Sequence, residues 1–174
     1  MKPRLRVFSV RWLQPRQKEY IMGAWGTKTF EDDSALDWYD KFCQSDQSVD
    51  LLKDAFEKVI RTKEYLEYEE GIAALVAAEI LAAALNKPSQ QFPKANYHLG
   101  MNETEQEGEE GIEIPLPDLN QIQSKLDAGL LNKAIEAVAK VQQYEHSELR
   151  ELWEDSAHYQ EWKAELKSLQ ERLK

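Results

Sequence analysis

The chain has 174 residues and a formal charge of −10, from 32 acidic and 22 basic side chains. With 42% hydrophobic and 31% charged residues it can bury a core, which excludes a wholly disordered chain. Its one cysteine, Cys43, excludes an intrachain disulfide and a cysteine-based zinc site, and no apolar run reaches the length of a membrane-spanning helix.

Residues 1–21 carry a balance of +5, and the remainder carries −15. Arg6 and Arg11 interrupt the apolar stretch from Leu5 to Leu13, so no secretory signal forms and the expected location is the cytoplasm. The segment reads as a non-native basic extension upstream of a start at Met22; the alternative is a basic arm that docks on the acidic body. Residues 22–174 are then expected to form a single helical domain. An acidic body repels nucleic-acid backbones, so no nucleic acid is expected as its partner, and a basic protein is.

In chain order, Ser34-Ala35-Leu36-Asp37 has the form of a capping box, with Ser34 as N-cap of the first helix. Ala35, Trp38, Tyr39 and Phe42 share one face of that helix, and Cys43 extends it as a buried hydrophobe. Ser48 caps the second helix, on which Leu51, Leu52, Ala55, Phe56, Val59 and Ile60 recur at helical spacing. Lys58 and Arg61 suit its C-terminal end, where the helix dipole favours cations.

The third helix is expected from about Tyr65 to Asn86, closed by Asn86 and Pro88. Its segment Ile72–Leu85 is apolar on nearly every side and holds one charge, Glu79, which marks a central helix. A long acidic loop is expected at about 87–117, solvated and without periodicity. It lacks the ordered acidic spacing of a calcium loop, so no metal and no cofactor are expected.

Asp118 caps a short helix that Gly129 interrupts. Leu131, Ala134, Ile135, Val138 and Val141 mark the next helix. Ser147 is expected to cap a long final helix, whose Leu149, Leu152, Trp153, Tyr159, Trp162, Leu166, Leu169 and Leu173 form a face that packs on the body or, alternatively, on a partner helix. The fold class is therefore all-α: a compact bundle of about six helices around the alanine-rich one.

The opening Met22-Gly23-Ala24-Trp25-Gly26-Thr27-Lys28-Thr29-Phe30-Glu31-Asp32-Asp33-Ser34-Ala35-Leu36-Asp37-Trp38 resembles a bacterial family of small acidic proteins, a domain of unknown function. Its members start Met-Gly-x-Trp-Gly, then Phe, then Asp-x-Ala-x-Asp-Trp. The Glu79 segment and Ser147-Glu148-Leu149-Arg150-Glu151-Leu152-Trp153-Glu154 are similar to the same family. Lys28 stands where many members carry glycine, and residues 1–21 have no counterpart. The resemblance implies no particular activity.

Candidate site residues follow from chemistry. Gly23, Trp25 and Gly26 could cradle a ligand beside the first helix N-terminus, or plug the fold. Asp33 lies at the same helix start and Trp38 on its face; Trp153 is a large apolar anchor. Glu79 needs a partner, because an ionised carboxylate among apolar side chains is costly when unpaired. The partners considered are the Trp25 indole, the Gly23–Gly26 amides, Arg150 or a tyrosine. Three functions remain open: a non-catalytic interaction or accessory protein, immunity-like, binding a basic protein; a small hydrolase or lyase using Glu79 with Asp37 near Trp25; or a purely structural stand-alone domain.

Overall fold

The computed structural model describes residues 24–94 and 116–174. The basic segment 1–21 and most of the expected acidic loop lie outside them. The described residues hold seven helices: α1 (Asp33–Gln44), α2 (Val49–Arg61), α3 (Tyr68–Ala84), α4 (Leu119–Ser124), α5 (Ala128–Gln143), α6 (Glu148–Glu154) and α7 (Tyr159–Arg172). Among them no strand forms; two isolated bridges join Ala24 to Asp32 and Leu66 to Ser147.

Every other helix packs on α3. From Gly71 to Ala84 all its residues except Ala73 are buried. Two features of the sequence cause this. The apolar residues leave no polar stripe to face water, and the many alanines let neighbours come close. Gly71 shows how close: a Cβ there would lie 2.7 Å from Leu149 Cδ1, so the Leu149 side chain of α6 would have to shift. The helix ends as its sequence predicts. Asn86 takes φ 61°, Asn86 N–H donates to Ala83 C=O at 2.9 Å, and Lys87 N–H donates to Ala82 C=O at 2.9 Å. Those two bonds satisfy carbonyls that a helix end would otherwise leave unpaired.

At the other end of α3, Glu67 makes no side-chain cap. Glu148 caps it from α6 instead, accepting from Tyr68 N–H at 2.8 Å. Leu66 N–H also donates to His146 C=O at 2.8 Å, and Glu148 N–H to Leu66 C=O at 3.0 Å. The starts of α3 and α6 are thus tied together by backbone. Lys140 of α5 donates to Ile60 C=O at 2.9 Å and to Thr62 C=O, neutralising the C-terminal end of α2.

Four local expectations need correction. Asp32, not Ser34, caps α1: its Oδ1 accepts from Ala35 N–H at 3.1 Å, while Ser34 Oγ donates to Glu69 at 3.4 Å. Gly129 does not interrupt a helix; it lies in the first turn of α5, and Asp127 caps that turn by accepting from Leu130 N–H at 2.7 Å. Ser147 caps nothing with its side chain, because its buried hydroxyl donates to Val141 C=O at 2.9 Å. The long final helix is two helices, split at 155–158, where Ser156 N–H donates to Trp153 C=O and Ser156 Oγ accepts from His158 N–H. Serine and aspartate offer the backbone local partners that compete with helix continuation. The expected face of this segment does bury itself: Leu149, Trp162, Leu166, Leu169 and Leu173 are all in the core. The acidic loop also enters the core at its start, where Phe92 meets Phe30 and Tyr39 edge-on at 5.6 and 5.8 Å.

Candidate functional site: a groove between α1 and α2

Asp32 and Glu79 are the only buried acids among the described residues. Each is satisfied internally. Asp32 takes the α1 cap with Oδ1 and accepts the Tyr68 hydroxyl with Oδ2. Glu79 is 4% exposed and meets the Arg172 guanidinium in a two-pronged pair, Nη1 to Oε2 at 2.8 Å and Nη2 to Oε1 at 2.6 Å. Arg172 Nη1 also donates to Lys87 C=O at 3.2 Å, so the pair fastens the end of α7 to the middle and the exit of α3. None of the expected partners of Glu79 is the true one. Trp25 is 57% exposed, and Arg150 bonds Gln143 C=O and Glu154 instead.

The other sequence candidates scatter. Gly23 lies outside the described residues. Asp33 and Asp37 are exposed on α1. Trp25 N–H donates to Glu31 C=O at 2.9 Å, closing a turn over residues 24–32. At Gly26 a Cβ would strike the Glu31 carboxylate, 2.0 Å away, so a larger residue there would displace that side chain. Gly26 and Trp153 do meet, with Leu149 and Leu166, around a cavity of about 20 Å³. That is room for about one water. Trp153 stacks on Trp162, with ring centroids 6.2 Å apart. Among the described residues, neither Glu79 nor Asp37 lines that small cavity, the concavity between α2 and α5, or the larger one between α1 and α2.

The largest of those concavities, about 550 Å³, involves one expected residue, Trp38. Helices α1 and α2 each pack on α3 rather than on each other, and the gap between them is the groove. Trp38 stacks on Phe42 at 5.8 Å and an interplanar angle of 7°, forming one wall. Leu51, 39% exposed, and Ala55 form the other. Ala73, the residue of central α3 left partly open, lies in the floor. Asp54, Glu69 and Glu70 contribute acids, and Lys41 and Lys58 contribute bases. The sequence places Leu51 among the apolar residues that recur at helical spacing on α2. Leu51 lies one turn from the buried Ala55, and that spacing does not by itself separate a groove wall from the core.

Cys43 and Tyr39 form a closed unit behind the groove wall. The buried Tyr39 hydroxyl has no oxygen or nitrogen partner and lies against the Cys43 thiol. Burial pushes the thiol from its ordinary 9.0 up to about 11, and raises the hydroxyls of Tyr39 and Tyr68. The unfolded chain releases the thiol proton near 9.0 and the folded chain only near 11, so between these values the unfolded state binds fewer protons. Stability should therefore fall as pH rises above 9.0. Thermal melts through this alkaline range are expected to show the decline, and a shallower one in Cys43→Ala. An identical decline in both would remove the thiol as a cause.

No group of three His, Cys, Asp or Glu side chains among the described residues is placed to hold a metal. No helix among them is long and apolar enough to cross a membrane. Residues 23–165 match the family described as Domain of unknown function (DUF4259). The chain belongs to this family. The DUF4259 match takes in the groove, Glu79 and Trp162 and stops short of Arg172. No curated protein and no solved structure matches the chain.

Proposed function

We propose that this DUF4259 member is a cytoplasmic, non-catalytic interaction or accessory protein, immunity-like in kind, that receives a basic protein partner. The observation that carries the reading is the distribution of acid. The chain has 32 acidic side chains, and among the described ones all but Asp32 and Glu79 stand at least partly in water. The two buried ones are occupied in holding helices together. Acid excess displayed outward, with the interior acids already partnered, suits electrostatic recognition of a basic surface better than proton transfer.

Capture by the immobilised full chain from lysate of its own source checks this. Discrete basic proteins should be retained at about 50 mM salt and released by about 500 mM, as screening shortens the reach of surface charge. Retention of nothing beyond a salt-indifferent background would overturn it.

A further inference from the structure

We propose that the groove between α1 and α2 is a docking site for an amphipathic helix of a basic partner protein, apolar ridge inward and Lys/Arg flank on Asp54, Glu69 and Glu70. The inference rests on the function proposed above and names the surface that performs it.

Three observations converge on this occupant. The first is shape. The groove is a half-open slot between two helices that share α3 as a floor. A small molecule binds best when walls surround most of it, whereas a helix needs only a slot for one ridge of side chains. The second is the apolar lining. Trp38 and Leu51 remain partly in water although burial would favour them, and a ridge of leucine or phenylalanine would cover both.

The third is charge. The side chains of Asp54, Glu70, Lys41 and Lys58 take no hydrogen bond or ion pair among the described residues. Glu69 accepts only a 3.4 Å contact from Ser34. On α2 the neighbouring Glu57, by contrast, pairs with Arg61 at 2.6 Å and with Lys133. The groove thus presents two acids without a partner, Asp54 and Glu70, and a third, Glu69, held only by Ser34; a helix bearing Lys or Arg beside its apolar ridge complements them.

The experiment measures anisotropy of labelled synthetic helical peptides against the full chain. Three peptides share one leucine ridge at i, i+3, i+4 and i+7 and differ only in a Lys, Glu or Gln flank; a fourth peptide is residues 1–21. The Lys-flanked peptide should bind about ten-fold or more tighter than the Glu-flanked one. Leu51→Asp, at an exposed position, should weaken it about ten-fold, with circular dichroism confirming the fold. Asp54→Lys with Glu70→Lys should abolish the preference for the Lys flank. Equal binding of the three flanks, or binding indifferent to both variants, overturns the proposal. Tighter binding of the 1–21 peptide assigns the groove to the chain's own basic segment and also overturns it. So does a concentration-dependent dimer that Leu51→Asp dissolves. A lysate partner retained equally by Leu51→Asp, yet still released by salt, defeats the groove and leaves the general function standing. Failure of the lysate capture, with the peptides behaving as stated, does the reverse.

Discussion

Replacing Arg172 by alanine is expected to destabilise the protein by about 3 kcal/mol or more. The cost comes less from the lost attraction than from Glu79, which would remain at 4% exposure with no cation to balance it. Arg172→Lys should restore only part of the loss. The ammonium is a point charge, and it cannot reproduce two parallel bonds at 2.8 and 2.6 Å while also reaching Lys87 C=O. The double variant Glu79→Leu with Arg172→Met should recover most of the stability, since removing both partners leaves no stranded charge. Urea unfolding of the four chains, read by circular dichroism, gives the comparison. If the double variant were as unstable as Arg172→Ala, the pair itself rather than the orphaned carboxylate would be the stabilising element.

Trp162→Ala should cost about 3–5 kcal/mol, the usual range for emptying a buried aromatic site. Trp162 is 2% exposed and lies between Trp153, stacked at 6.2 Å, and Tyr159, stacked at 6.0 Å. It belongs to α7 and meets the end of α6, so it closes the break between those helices. The effect should therefore be cooperative, with α6 and α7 loosening together. Thermal unfolding followed at once by tryptophan fluorescence and far-ultraviolet dichroism tests it. A fluorescence change with unchanged midpoint would show that the stack is decoration on α7 rather than its anchor. Trp162→Phe should keep more than half of the lost stability, because it refills most of the cavity.

Much of the bundle was legible because its signals are local or strictly periodic. Ser48 and Asp118 cap where expected, accepting from Asp50 N–H at 3.1 Å and Gln121 N–H at 2.9 Å. The alanine-rich run had to be central, as no face of it could stand in water. The α1 cap was misplaced because Asp32, Asp33 and Ser34 are all good caps, and Asp32 is the one that Tyr68, reaching across from α3, also bonds at its second oxygen. The split at 155–158 was hidden because the apolar spacing continues through it, and only the Ser156 hydrogen bonds reveal the turn.

The candidate site was less legible. Trp38 was singled out, but Leu51, Asp54 and Ala73 were not, because a groove is a relation between helices and not a pattern within one. That α1 and α2 lean on α3 without closing on each other is set by how their side chains interlock with it.

Taken alone, the sequence determined an all-helical chain, the identity of its central helix, and the need of Glu79 for a partner. All three follow from the free energy of moving apolar or charged groups out of water, which depends on composition and period. Tertiary structure alone decided that the partner is Arg172, 93 residues away, and that a gap remains between α1 and α2. Such pairings depend on where helix ends arrive after packing, and several arginines could have met the same electrostatic demand.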